Sequence, residues 1–420
     1  MLSDQATHFW QPSSATRRDL LRLGGLACAT ALLTPVLSGC GGSDTDAQTQ
    51  MRQLLGERWQ NRYAGQAGGL SLNMITPYAS YFASTLDGIT ADAHFRAAST
   101  TKTFTAAAIM LLDQRGLLRI DDLITASMPG RTEPYLPNTP DYAIPYKDQI
   151  SIRQLLSHRA GVFDITNQAI PTSSNADYAG WLYHEWREEQ NSQYSHTKDE
   201  LIKVLADNQL SNAAPGERFQ YSDSHYQILG KVIEQVSDKT LNAFISEELL
   251  QTNGLTRSHF VIDGANQQLP APFIDGYALF EAQTIACTEY NYSYDPGSGN
   301  LVTSLADLSR WIRRLMKGQA GINAAQVARM CEVLPDSNYG LGTMHLINNG
   351  NDLGYGHNGG TAGYMTYAFH DPVTDLSFII QCSLLDVSRG KTSLAQQGSW
   401  LCDIVFDIRS QLGYTPQPLR

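Results

Sequence analysis

The sequence predicts an α/β protein of the α+β kind, with one antiparallel sheet built from both ends of the chain and an inserted, mostly helical part between them. Three observations carry this. Strand-like alternation is confined to the two ends of the globular part, the middle is dominated by helical periodicity, and the chain closes on an amphipathic helix spaced for packing on a sheet.

Taken in order, residues 51–63 read as a short amphipathic helix, and "GGLSLNMIT" and "YASYFAST" alternate as paired strands around Pro77 and Tyr78. The middle holds the helical patterns "TTKTFTAAAIMLLDQRG", "ISIRQLLSHRAG", "DSHYQILGKVIEQVSD", "TLNAFISEELL" and "SLADLSRWIRRLMKG", several of which stop at glycine. Strand signals return in "YGLGTMHLI", "GYMTYAFHD" and "LSFIIQCSLL", the last two joined by the turn "DPVTD". Sequence-distant strands that each need a partner imply a shared sheet, covered by a helix over about 392–411. The sheet part is expected at about 51–98 and 335–420, and the helical part at about 99–334, together one domain from 51 to 420.

With 420 residues, 42% hydrophobic and 17% charged, the chain is long enough for a large core. A net charge of -11 and a sequence pI near 5.3 argue against nucleic acid, whose phosphates require clustered Lys and Arg.

The first 39 residues read as a signal. Arg17 and Arg18 precede a moderately apolar stretch that ends in "LSGC" at Cys40, which resembles a twin-arginine export signal closing in a lipobox. A membrane span is the alternative, but Arg22, Gly24 and Gly25 leave the apolar run short of the roughly 20 residues a bilayer requires. The resemblance implies cleavage before Cys40, lipid on its sulfur, a polar tether over 40–50 and a membrane-anchored place in the cell envelope. Of the other cysteines, Cys28 leaves with the signal. Cys287, Cys331, Cys382 and Cys402 either form disulfides or stay as buried thiols, and their spacing fits no metal motif.

Ser-x-x-Lys occurs three times, as Ser99/Lys102, Ser195/Lys198 and Ser388/Lys391. Only the first opens a run, 104–112, that is apolar nearly all round and therefore a core helix. Helical residues three apart share a face, so Lys102 sits beside Ser99. Burial drives a lysine toward its proton-accepting form, and a serine hydroxyl becomes a nucleophile only when a base takes its proton. Free N–H groups at a helix start would favour a developing oxyanion.

"FRAASTTKTFTAAAIMLLDQRGLLRIDDLI", "ISIRQLLSHRAGVFD", "PGERFQYSDSHYQILGKVIE", "GSGNLVTSLADLSRW" and "YGHNGGTAGYMTYAF", in that order from about Gly68 onward, resemble the serine beta-lactamase and DD-peptidase family. The His-x-Gly triplet makes the low-molecular-mass D-alanyl-D-alanine carboxypeptidases the most similar branch. This implies an antiparallel sheet beside a helical part with the active site in the cleft between. Ser99 matches the nucleophile, Lys102 the activating lysine and Tyr221 of "YSD" the tyrosine that shuttles a proton to the leaving group. By the same resemblance Asp223, His357, Asn358, Gly359 and Gly360 form the substrate and oxyanion side. The amides of Ser99 and Gly360 hold the oxyanion, and the strand entered at "HNG" pairs with the substrate. Read alone, Tyr221 is equally a buried hydrogen-bonded tyrosine and His357 a surface histidine in a glycine-rich turn.

Two departures stand out. Asp223 replaces the family's asparagine with a group that, ionised, only accepts hydrogen bonds and favours a charged Lys102. And "YGLG" is followed by Thr343, Met344 and His345, with no arginine for a substrate carboxylate. His158 fits a structural hydrogen-bonding role. Trp181, Trp186, Tyr292 and Tyr294 wall the cleft or form satellite cores, and the polar, aromatic-rich segment 171–195 is placed to shape substrate entry.

The resulting expectation is a monomeric serine acyl-enzyme hydrolase of peptidoglycan-type D-alanyl peptides, needing neither metal nor cofactor, with Lys102 or Tyr221 as base. An esterase, D-aminopeptidase or beta-lactamase shares the chemistry. A lipoprotein that binds cell-wall peptides or beta-lactams without turnover is the reading from another class.

Overall fold

The computed structural model describes residues 43–334 and 336–414. The expected signal and Cys40 lie outside the described residues.

In chain order the elements begin with α1 (Ser43–Tyr63), β1 (Leu70–Ile75), β2 (Ser80–Ser84), β3 (His94–Arg96) and α2 (Lys102–Gln114). Next come α3 (Ile152–Leu156), α4 (Tyr183–Gln190), α5 (Lys198–Asp207), α6 (Asp223–Ser237) and α7 (Leu241–Ile245). They are followed by β4 (His259–Phe260), β5 (Tyr277–Phe280), β6 (Gln283–Ala286), β7 (Leu301–Ser304), α8 (Leu305–Met316) and α9 (Ala324–Cys331). The chain closes with β8 (Met344–Asn348), β9 (Asn351–Thr361), β10 (Tyr364–Asp371), β11 (Leu376–Cys382), β12 (Leu384–Asp386) and α10 (Lys391–Gln411).

The main sheet has the order β2-β1-β11-β10-β9-β8, so the strands from the two chain ends do meet. β1 pairs antiparallel with β11, Leu70 opposite Cys382 and Ile75 opposite Ser377. Strand side chains alternate between faces. Met365, Tyr367, Phe369, Phe378 and Ile380 face a core shared with Met51, Leu55 and Trp59 of α1 and Leu401, Ile404 and Val405 of α10. Tyr364, Ala368 and Ile379 belong to the core on the opposite face, with Trp311, Ile312 and Leu315 of α8. Covered on both sides, β11 is buried throughout, which is why "LSFIIQC" is almost continuously apolar.

Three features differ from the sequence expectation. α1 starts at Ser43, eight residues before the expected helix, so the second part of the expected tether is helical. Residues 46–50 face mostly solvent, and a polar exposed turn has no apolar periodicity to announce it. β9 escaped notice because four glycines interrupt it. A Cβ on Gly354 would lie 2.1 Å from the His370 carbonyl oxygen, and one on Gly356 2.0 Å from that of Ala368, so the neighbouring backbone requires glycine. Two small sheets, β3-β7-β4 and β12-β5-β6, are made of strands two to four residues long. Cys287, Cys331, Cys382 and Cys402 are free thiols, the first, third and fourth buried.

Candidate active site

Ser99 lies in the 3-10 turn Ala98–Thr101 that links β3 to α2. The turn is tied by Thr100 Oγ1 donating to the Ala97 carbonyl (2.9 Å) and Thr101 Oγ1 to that of Ala98 (2.6 Å). Ala98 carries a φ of 50°, a left-handed backbone that costs a non-glycine residue about 1–2 kcal/mol and is held by the surrounding packing. Lys102 opens α2, whose residues 102–112 are all buried, so the apolar run does bury a lysine at its start.

All three donors of the Lys102 ammonium are used. Nζ donates to Ser99 Oγ at 3.1 Å, to Asp223 Oδ1 at 2.5 Å and to the Ser298 carbonyl oxygen at 3.0 Å. Asp223 stands in the first turn of α6, where the helix dipole favours a carboxylate. Its Oδ2 accepts from Asn167 Nδ2 at 2.7 Å, and its backbone N–H donates to Asp164 Oδ1 at 3.3 Å. Burial pushes the Lys102 pKa down, but the charges of Asp223, Tyr221 and Asp295 outweigh it and the net shift is upward. The sequence-level concern about Asp223 thus has a geometric basis: the carboxylate holds Lys102 as an ammonium.

Two further acids surround the pair. Burial, then the Asp223 charge, pushes Asp295 up to about 7, against the pull of Lys102. The same two causes, in the same order, raise Asp164 well above the usual carboxylate range. The sequence assigns a site role to neither, nor to Asn167, Ser298 or Tyr339. A polar residue inside the apolar "GVFDI" is the one hint, since buried acids are rare unless paired.

Tyr221 lies beside Lys102 and Ser99, with Lys102 Nζ 4.8 Å from its ring centre. Burial raises its pKa and the nearby ammonium only partly opposes this, so the phenol is a proton donor at rest. The His158 ring lies 4.1 Å from the Tyr221 ring and fixes its plane, while His158 Nδ1 meets His225 Nδ1 at 3.0 Å. His357 is buried, not a surface turn residue, and its pKa falls to about 3 through burial and then the Lys102 charge. The neutral ring donates from Nδ1 to the Asn358 carbonyl (2.5 Å) and accepts at Nε2 from the Tyr339 hydroxyl (3.0 Å), a tautomer assigned from its partners.

"HNG" lies in the second half of β9, whereas the sequence placed it at a strand entrance. Its position brings β9 against the serine turn. A Cβ on Gly359 would stand 2.5 Å from the Ala97 carbonyl oxygen and 3.0 Å from the Ser99 nitrogen. Gly359→Ala is therefore expected to cost about 1–3 kcal/mol in denaturant unfolding through forced backbone displacement. Gly56→Ala, on α1 with nothing near its Cβ position, is the control and is expected to be neutral or stabilising.

The cleft above Ser99 encloses about 620 Å³ of empty space, open solvent included. Its walls include Asn167, Tyr221, Asp223, Tyr292, Tyr294, Asp295, Tyr339, Met344, Asn358 and Gly360. Two of the four flagged aromatics thus wall it. Trp186 instead packs on Tyr178 and Tyr183. Met344 gives the cleft an apolar wall, and among the described residues the lining contains two aspartates and no arginine.

An antiparallel sheet between helices, with a serine three residues before a buried lysine at the start of a core helix, defines the class shared by serine beta-lactamases and DD-peptidases. The family model described as Beta-lactamase matches residues 51–395, and the chain belongs to that family. Among curated relatives, Protein flp of Staphylococcus aureus (strain COL) is 26% identical over 224 residues, covering 52% of this chain and 38% of its own. Penicillin-binding protein 4* of Bacillus subtilis (strain 168) is 27% identical over 209 residues, covering 50% and 36%. The chain thus spans well under half the length of these relatives. Among solved structures, the D-amino acid amidase of Ochrobactrum anthropi SV3, complexed with L-phenylalanine amide, superposes with a TM-score of 0.67 at 19% identity, over 87% of this chain and 99% of that one. At that identity the likeness shows the fold.

Proposed function

We propose that this chain is an exported serine hydrolase that forms an acyl-enzyme at Ser99. The observation that carries the reading is the hydrogen-bonded contact of Ser99 with a wholly buried Lys102, beside Tyr221, at the floor of the cleft. Ser99 Oγ attacks the substrate carbonyl carbon while its proton passes to Lys102 in its neutral form. The carbonyl electrons move onto oxygen, held by the amides of Ser99 and Gly360. The C–N bond breaks with the Tyr221 phenol protonating the departing amine, and the Lys102 ammonium returns a proton to the phenol. Water, deprotonated by the same groups, releases the acyl part. His357, Asn358 and Gly359 shape the β9 side on which the substrate lies.

For substrate, we favour amides or peptides that carry a free amino group over D-alanyl-D-alanine carboxypeptidase substrates. Among the described residues the lining offers Asp223 and Asp295 and no arginine or lysine for a terminal carboxylate, and one structural neighbour is a D-amino acid amidase. Export and anchoring through Cys40 rest on the sequence of 17–40 alone. The purified protein is expected to release ammonia from D-alaninamide faster than D-alanine from a D-alanyl-D-alanine peptide. The reverse order would return the reading to a carboxypeptidase.

A second reading, binding without turnover, is favoured by the Lys102–Asp223 contact itself, because an ammonium cannot accept the Ser99 proton. Asp223→Asn separates the two. In the native protein the raised lysine pKa confines the neutral amine to alkaline pH, so kcat/KM climbs as pH rises. Removing the carboxylate takes away the largest of the interactions that hold the lysine pKa up against burial, so the climb moves to lower pH and acylation at pH 7 speeds up by about tenfold or more. An unmoved profile would show that Asp223 does not control the lysine.

A further inference from the structure

The cleft lacks the amide that Asp223 displaced, yet an amide stands beside it. Asn167 lies on the loop between α3 and α4 and forms part of the cleft wall with Ser99, Tyr221 and Asp223. Its Nδ2 donates to Asp223 Oδ2 at 2.7 Å and to Asp164 Oδ2 at 3.1 Å, which uses both hydrogens of the amide nitrogen. That fixes which way the amide points. Turned over, Oδ1 would sit 2.7 Å from an oxygen of the carboxylate that pairs with Lys102, acceptor against acceptor. Among the described residues Oδ1 itself accepts no hydrogen bond. The amide therefore keeps an acceptor that no described residue uses, on a residue that lines the cleft together with Asp223 and Asp295.

We propose that Asn167 is a specificity-determining residue whose Oδ1 accepts a hydrogen bond from an N–H or ammonium group on the acyl part of the substrate. The inference rests on the hydrolase reading above and adds a residue and a polarity to it. A substrate lacking that donor leaves a desolvated carbonyl oxygen unpaired, and the discrimination comes from that loss.

The test compares two p-nitrophenyl esters with the full chain: D-alanyl ester, which carries the ammonium, and propionyl ester, the same acyl group without it. Wild type is expected to prefer the D-alanyl ester in kcat/KM. Asn167→Ala is expected to cut that preference by about 10- to 100-fold, chiefly through a higher KM for the D-alanyl ester, with the propionyl ester reporting any loss common to both through the Asp223–Lys102 pair. Should the alanine protein melt early, Asn167→Ser, which keeps a donor for the two carboxylates but removes the carbonyl, is expected to show the same collapse. Equal loss on both esters would mean that Asn167 only positions Asp223 and Lys102, and would overturn the inference while leaving the hydrolase reading in place. A wild-type protein that hydrolyses neither ester and takes no label at Ser99 from a serine-directed phosphonate would overturn both.

Discussion

Ser99→Ala is expected to lower kcat by about 10⁴- to 10⁶-fold, the range associated with losing a catalytic nucleophile, while substrate binding and thermal stability stay near native values. Ser99 is only half-buried, and its hydroxyl accepts one hydrogen bond from Lys102, so its loss opens no large cavity. Lys102 keeps its ties to Asp223 and to the Ser298 carbonyl, and the floor of the cleft retains its shape. Steady-state rates beside ligand titration check this. A variant with a tenth of native activity would mean that the nucleophile is elsewhere.

Lys102→Ala is expected to fail in two ways at once. Turnover falls by about 10³-fold or more because the Ser99 proton loses its acceptor. Stability also falls, by about 3–5 kcal/mol at neutral pH, because Asp223 becomes a buried charge without its cation, with Asp164 and Asp295 close by. The pair Lys102→Met with Asp223→Asn removes both charges, and it is expected to recover most of the stability and none of the turnover. Urea unfolding of the two single variants and the double variant, run beside their rates, separates the structural effect from the chemical one. If the single lysine variant unfolds like wild type, the Lys102–Asp223 contact is not worth what its burial implies.

The parts of this molecule that the sequence made legible are those in which one physical demand dominates. A core helix must be apolar all round, so α2 announced itself, and with it the oddity of Lys102. A strand buried on both faces is largely apolar, so β11 is visible as well. β9 is not, because the constraint there is space for the neighbouring backbone, which calls for glycine and erases the alternating pattern. "HNG" was therefore recognised but placed at a strand entrance. The polar floor of the site was half legible. Asp223 was flagged by its departure from the family triplet, whereas Asp164, Asn167 and Asp295 come from loops 56 and more residues away and meet only through the fold. Nothing in "DITNQ" states that an amide will bridge two carboxylates. That is a property of packing between segments, which no local pattern carries.

The central claim is that Ser99 forms a covalent acyl-type bond, and the most direct measurement is peptide mass mapping after exposure to a fluorescent penicillin and, separately, to a serine-directed phosphonate. The account predicts an adduct on the peptide that contains Ser99 with at least one reagent, absent from Ser99→Ala. An adduct on another residue, or none from either reagent, would contradict it.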